Sequence, residues 1–267
     1  MKIRRMSRPP AQPSYYEPED NDVTREKQRM TNHHELSDPI KAVDVYKSFG
    51  KNQHAVRGIS FGVTKGECFG LLGPNGAGKT TTMSMLTAQL GPSFGEIILA
   101  ENSIYSSDLH TLYRKAQIGY CLQSNQALSP YLTVREHLEL YLGLRSNFSE
   151  HQMKAKIDEM IERMDLEQYT NRMAKNLSGG NKRKLSVAVA MLTGYKIVFM
   201  DEPSTGMDPG ARRSLWSVIT EAKGDTVEPK CIVLTTHSME EAEAVCNRIG
   251  KRRDISQKKF HGSNRSI

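Results

Sequence analysis

Nowhere in its 267 residues does the chain carry an apolar run approaching the ~18 to 20 residues that a bilayer-crossing helix needs. Its first residues also lack the apolar core of a secretory signal, so any contact with a membrane is expected to run through a partner or through chain beyond this sequence. Cysteine is scarce: Cys68, Cys121, Cys231 and Cys246 stand apart, without a C-x-x-C pair. That excludes a disulfide frame or a thiolate metal site and fits reduced residues in the core of a cytosolic protein. A broad surplus of one charge sign is missing as well, once the net +7 is mapped. Six bases against one acid give residues 251–267 a charge of +5, leaving +2 for everything before them. The positive balance belongs to a local tail, and no nucleic-acid partner is expected from it.

A domain of this size hides about three quarters of its unfolded surface, enough for the core of an enzyme. The stretch that organises it is Gly73-Pro74-Asn75-Gly76-Ala77-Gly78-Lys79-Thr80, preceded by the apolar Cys68 to Leu72 and followed by Thr81 and a helical run. G-x-x-x-x-G-K-[ST] between a buried strand and a helix is the pattern of a phosphate-binding loop. Gly73, Gly76 and Gly78 let the backbone curl so that successive N–H groups face phosphate oxygens, with the positive end of the helix behind them. Lys79 can reach the β and γ phosphates, and the Thr80 hydroxyl can take one position on a magnesium ion. The plain alternative is a glycine-rich turn that happens to carry a lysine. Its strand and helix flanks argue against that.

Residues 1–40 are polar and mixed in charge, with Pro9, Pro10, Pro13 and Pro18, and read as a disordered or linker-like lead-in. A folded domain is expected over 41–249, with 250–267 as an unstructured basic tail. It opens with two alternating stretches, Ala42 to Tyr46 and Ala55 to Phe61, which predict antiparallel strands leading into the phosphate-loop strand. Phe49, at the end of the first, either stacks on a nucleotide base or is a partly buried strand aromatic. Beyond the loop, Glu96 to Ala100 and Ile118 to Leu122 predict strands, the latter ending at Gln123. From about 124 to 178 the pattern is helical, with a capping box at Thr133 and Glu136 and an apolar face of Met153, Ile157, Met160, Ile161 and Met164. This block interrupts an alternating strand and helix chain and is expected to be an inserted helical subdomain.

Further motifs follow in quick succession. Ser178-Gly179-Gly180 at a helix start offers free N–H groups and a hydroxyl, which suits an anion or simply caps the helix. Lys196 to Met200 predicts a buried strand that delivers two acids: Asp201 to hold magnesium, Glu202 to polarise a water for attack on a γ phosphate. After Ser204 to Asp208 and a helix, Cys231 to Thr236 predicts another apolar strand, ending at His237.

Phosphate loop, Gln123, LSGGNKRKLS, Met200-Asp201-Glu202-Pro203, Ser204 to Asp208 and His237, in this order and around a helical insert, resemble the nucleotide-binding domain of an ABC ATPase over about residues 41–249. Within that superfamily, GECFGLLGPNGAGKTTT, IGYCLQ, DEPSTGMDPGARR and LTTHSMEEAEAVC are similar to the A subfamily of lipid-exporting transporters, the second nucleotide domain above all. The resemblance implies an α/β fold: a P-loop NTPase (RecA-like) core with an antiparallel β subdomain and an inserted α-helical subdomain. It implies ATP and Mg2+ as ligands and ATP hydrolysis as the activity. Phe49 would stack on adenine and Gly73 to Thr81 would wrap the phosphates. Thr80, Gln123 and Asp201 would serve the metal, Glu202 would be the general base, and His237 would hold the γ phosphate. Ser178, Gly179 and Gly180 would serve the nucleotide of a second such domain facing this one head to tail, with Asp208 crossing between the sites. A transmembrane domain would be the other partner, placing the chain at the cytoplasmic face of a membrane.

After Arg248-Ile249 the resemblance stops, where the family continues with a strand and a glycine turn. An unfinished sheet edge is expected there, with a tail from truncation or divergence. If the short end prevents productive dimers, the chain would instead be a nucleotide-dependent interaction module that binds ATP and a transporter partner without turnover. A soluble relative acting on ribosomes or DNA would carry two such domains or long coiled coils, and neither is present.

Overall fold

Two sheets of different kind share out the apolar strands. The computed structural model describes residues 21–32, 36–50, 53–105, 108–124, 127–144, 148–192 and 194–251. Strands β1 (Ile40–Phe49), β2 (Gln53–Val63), β4 (Phe94–Leu99) and β5 (Asn102–Ser103) form an antiparallel sheet in the order β2-β1-β4-β5. Strands β3 (Cys68–Leu72), β6 (Ile118–Cys121), β7 (Ile197–Asp201), β8 (Cys231–Thr236) and β9 (Arg248–Lys251) form an all-parallel sheet in the order β6-β7-β8-β3-β9. Every residue of β3, β7 and β8 is buried, which is why these strands read as unbroken apolar runs: a parallel sheet is covered on both faces.

The period-two alternation of the strands sends the core both ways. Val198, Met200, Ile232 and Leu234 join a cluster with α6 (Gly179–Leu192), α7 (Pro209–Gly224) and the helical insert formed by α4 (Val134–Gly143) and α5 (Glu150–Arg163). Ile197, Phe199, Phe69 and Leu71 join the other cluster, with α2 (Lys79–Leu86), α3 (Leu109–Ala116) and the antiparallel sheet. Phe61 of β2 stacks on Phe69 of β3 at 4.6 Å between centroids, fastening sheet to sheet. Capping boxes start both insert helices, at Thr133 with Glu136 and at Ser149 with Gln152. The apolar face of α5 is as the spacing predicts: Ile157, Met160, Ile161 and Met164 are buried and Met153 packs on them. No helix among the described residues is long and apolar enough to cross a membrane.

Two segments differ from the sequence expectation. Within the stretch read as a linker, Asn21–Thr31 forms helix α1 and buries Met30; residues 1–20 lie outside the described ones. Its order comes from ion pairs that no local pattern announces. Arg29 bonds Glu26 (2.8 Å) and Asp38 (2.7 Å), and Glu26 accepts from the Gly62 N–H (2.9 Å) and lies 3.2 Å from Arg248. At the other end, the regular ladder runs past the expected limit at Ile249, since Leu71 pairs with Gly250 and Leu72 with Lys251. The open edge of β3 accepts this strand, and Arg248, bonded to Glu67 (2.5 Å) and to the Gly62 carbonyl, anchors its start. Of the tail read as 250–267, residues 252–267 fall outside the described residues.

The α1 contacts generate an acid-sensitive term. Burial alone would raise the Glu26 carboxyl, but hydrogen bonds from Arg29 and from the Gly62 N–H, with the charge of Arg248 beside them, bring it down from 4.5 to about 2. A lowered folded-state value stabilises the fold fully above the unfolded value near 4.5 and is lost as pH falls toward 2. Unfolding free energy measured by denaturant from about pH 6 down to about pH 2.5 is expected to fall more steeply in the wild type than in Glu26→Gln. Identical slopes would show that Glu26 carries no such linkage.

Candidate functional site

A parallel sheet delivers the carboxyl ends of its strands to one edge, and three segments that follow those ends meet here. Leu72 of β3 is level with Thr236 of β8, and Asp201 of β7 with Thr235. Gly73, His237 and Glu202 are therefore each one residue past a strand end at the same edge. The Gly73 N–H donates to the Thr236 carbonyl (3.3 Å), tying the entry of the loop to β8.

The loop then turns through Gly76 and Gly78, both at φ +83°, a conformation that costs a side-chain-bearing residue but not glycine. Gly78 precedes the first residue of α2, and no side chain caps that end. The amides of Lys79, Thr80 and Thr81 are thus the donors of an uncapped helix start, at the positive end of its dipole. Ala77 is buried, while Pro74, Asn75 and Gly76 are exposed. Lys79 is 5% exposed, and its ammonium folds back to donate to the carbonyls of Gly73 (2.8 Å) and Pro74 (3.2 Å).

Glu202 is the point on which the other groups converge. Its Oε1 lies 3.4 Å from Lys79 Nζ, and its Oε2 lies 3.6 Å from His237 Nδ1. Oε2 is also 3.5 Å from Gln123 Nε2 and accepts from the Thr205 hydroxyl at 3.3 Å. The backbone of Glu202 sits at φ +49°, a left-handed conformation that costs a non-glycine residue about 1–3 kcal/mol. Its N–H donates to both the hydroxyl (2.9 Å) and the carbonyl (3.1 Å) of Thr235, which hold that conformation. The same Thr235 hydroxyl donates to Oδ1 of buried Asp201. One hydroxyl therefore orients both acids.

Arg183 of α6 supports this edge from beneath. It is 2% exposed and meets no carboxylate among the described residues; its guanidinium donates to the carbonyls of Pro203 (3.0 Å), Gln123 (3.2 Å), Leu122 and Asp201. The segment that carries Gln123 is thereby fixed against the one that carries Asp201 and Glu202. Arg183 stands inside LSGGNKRKLS, where the sequence alone assigns it no role. Its signal was positional: Arg183 falls four residues before Val187 on the buried stripe of α6.

The remaining site candidates stand apart from this cluster. Phe49, at the end of β1, is 42% exposed, with the Lys47 ammonium 5.4 Å from its ring centroid. Ser178 and Gly179 are exposed at the start of α6, where the Ser178 hydroxyl accepts from the Asn181 N–H (3.2 Å). A Cβ on Gly180 would come 3.4 Å from the Gly206 carbonyl. Asp208 uses its carboxylate to cap α7, accepting from the Gly210 and Ala211 N–H groups at 3.0 Å each, and the Ala211 bond leads the causes that lower its pKa.

As a set, the donors suit a polyphosphate: helix-start amides, an ammonium, two threonine hydroxyls, a carboxamide and an imidazole. Asp201 and Glu202 side by side suit a hard divalent cation and a water. The profile of the ABC transporter family matches residues 56–205. ATP-binding cassette sub-family A member 7 of Rattus norvegicus is 43% identical over 232 residues, covering 86% of this chain and 10% of that protein. The retinal-specific phospholipid-transporting ATPase ABCA4 of Bos taurus is 43% identical over 234 residues, with the same two shares. ABC transporter A family member 12 of Arabidopsis thaliana is 40% identical over 240 residues, 86% of this chain and 25% of that protein. The chain thus spans a tenth to a quarter of the length of these relatives. Among solved structures, a dimeric bacterial ABC transporter cassette superposes with a TM-score of 0.72 at 24% identity, over 80% of this chain and 94% of that one. An ATP-binding subunit of an ABC transporter gives 0.71 at 26% identity, over 80% and 86%.

Arg183 can be tested apart from any activity. Arg183→Met strands its four carbonyl acceptors in the interior, and denaturant unfolding is expected to show a loss of about 2–4 kcal/mol. Arg183→Lys should recover only part of it, because one ammonium cannot span four acceptors. A loss below about 0.5 kcal/mol would mean that the two segments are held by other contacts.

Proposed function

The chain belongs to the ABC transporter family, and from that membership we propose that it binds ATP with Mg2+ and hydrolyses the γ phosphate bond to drive transport through a membrane. The observation that carries this reading is the convergence of Lys79, Gln123 and His237 on the Glu202 carboxylate at the mouth of the phosphate loop. Lys79 would exchange Glu202 and its two loop carbonyls for phosphate oxygens, and the loop from Gly73 to Thr81 would wrap the phosphates, with the helix-start amides of Lys79, Thr80 and Thr81 as donors. Thr80, Gln123 and Asp201 would hold the magnesium, whose chemistry is to neutralise charge on the β and γ oxygens. Glu202, released from Lys79, would take the proton of the attacking water, and His237 would hold the γ phosphate.

Ser178 and Gly179, exposed at the start of α6, would with Gly180 complete the nucleotide site of a second ATPase domain. Phe49 would stack on the base. Two domains arranged head to tail would enclose two nucleotides, and closure would pull on a transmembrane portion at the cytoplasmic face. ABCA4 of Bos taurus is described as a phospholipid-transporting ATPase, and so is ABCA3 of Mus musculus. Lipid is accordingly the proposed cargo.

ATP turnover by the purified chain, followed against protein concentration, tests the reading. A rise steeper than linear is expected, with Lys79→Ala inactive. Glu202→Gln is expected to cut turnover by about 10²–10⁴-fold while keeping bound ATP and forming an ATP-dependent dimer. Turnover unchanged by both substitutions would overturn the proposal. Tight ATP binding with neither turnover nor dimer would instead make the chain a nucleotide-dependent module that acts on a transporter partner.

A further inference from the structure

The four cysteines are of two kinds. Cys121 and Cys231 are buried, each turned to a main-chain carbonyl, Leu122 at 3.9 Å and Val63 at 3.8 Å, and burial pushes both thiols up, Cys121 to about 11. Cys68 and Cys246 face each other, with their sulfurs 4.0 Å apart. Cys68 is the first residue of β3 and fully buried; Cys246 follows α8 (Met239–Val245) and is only half-buried.

We propose that Cys68 and Cys246 are a reversible thiol–disulfide site, closed by a peroxide-class oxidant and reopened by a small thiol. The backbone keeps the pair in register. Asn247, next to Cys246, accepts from the Cys68 N–H through its side chain (2.9 Å) and donates its own N–H to the Cys68 carbonyl (2.8 Å). The second of these bonds lies next to the β3–β9 ladder, whose first regular pair is Phe69 with Arg248. Room for the sulfur comes from Gly70: a side chain there would meet Cys246 Sγ at 2.6 Å. Reaching a bonded S–S distance of about 2.05 Å requires the sulfurs to close by about 2 Å.

Exposure sets the order of events. Cys246 is the one cysteine of the four that is not buried, so its thiolate attacks the peroxide O–O bond, becoming a sulfenic acid as the other oxygen leaves and takes up a proton as water. Cys68 then gives up its proton and attacks the sulfenyl sulfur, forming the S–S bond and releasing the sulfenic oxygen as a second water. In balance, two thiols and one hydrogen peroxide give one disulfide and two waters. The Cys246 contact and burial hold the Cys68 thiol well above its usual value, so Cys246, and not Cys68, meets the oxidant first. The bond would tie the start of the phosphate-loop strand to the connector between α8 and β9.

The full chain, treated with hydrogen peroxide and then alkylated under denaturing, non-reducing conditions, is expected to lose two of its four alkylatable thiols. Peptide mass mapping should show Cys68 linked to Cys246 within one chain, and dithiothreitol should restore all four thiols. In Cys68→Ser, a sulfenic-acid trap such as dimedone should label Cys246 several-fold more than in the wild type, because the second step is missing. Retention of four alkylatable thiols under the oxidant, linkage between chains, or equal trapping in both proteins would overturn the proposal. If Cys68→Ser does not fold, the wild-type peptide map decides by itself.

Discussion

One buried guanidinium holds together the pieces on which the rest of this structure depends. Arg183 leaves the helix that begins at Gly179 and gives its hydrogen bonds to main-chain carbonyls at the ends of two neighbouring strands, β6 and β7. Carbonyl dipoles replace the carboxylate that a buried cation ordinarily demands. Because the acceptors are backbone, the arrangement fixes the path of the chain at Gln123 and at Asp201 to Pro203 without occupying either side-chain acid. Three motifs far apart in sequence are registered by a single residue, and Asp201 and Glu202 remain available.

Those two acids are then separated in task by their surroundings. Asp201 ends its strand in the interior with its oxygen on the Thr235 hydroxyl. Glu202 has turned into the left-handed region, which swings its carboxylate toward Lys79, Gln123, Thr205 and His237. The unfavourable conformation persists because both polar groups of Thr235 accept the Glu202 N–H. A strained residue just past a strand end, its buried carboxylate ringed by an ammonium, a carboxamide, a hydroxyl and an imidazole, is an arrangement built around that carboxylate.

Much of this was legible in the sequence where the determinants are local. The phosphate loop, the apolar strands ending at Leu72, Asp201 and Thr236, and the Thr133–Glu136 capping box are set by residues within a few positions of one another. Helix α1 was not legible, because Glu26 and Arg29 find their decisive partners in Asp38, Gly62 and Arg248. The work of Arg183 was hidden for a related reason: its partners are carbonyls, which every residue carries, so no pairing of side-chain types points to them. Thr235 read only as part of an apolar strand, although its hydroxyl serves both acids. β9 was not read at all, since its ladder with β3 depends on an open strand edge and not on its own four residues.

The ion pairs of α1 have a mechanical meaning. Glu26 lies against Arg248, so the helix that leads into the domain and the outermost strand of the parallel sheet are buckled together. Tension entering the chain ahead of Asn21 would be borne by this buckle together with the Glu26 bond to Gly62, and shared between β9 with its neighbour β3 and the antiparallel sheet. Since β3 runs straight into the phosphate loop, the load path from the lead-in to Lys79 crosses only two parallel strands.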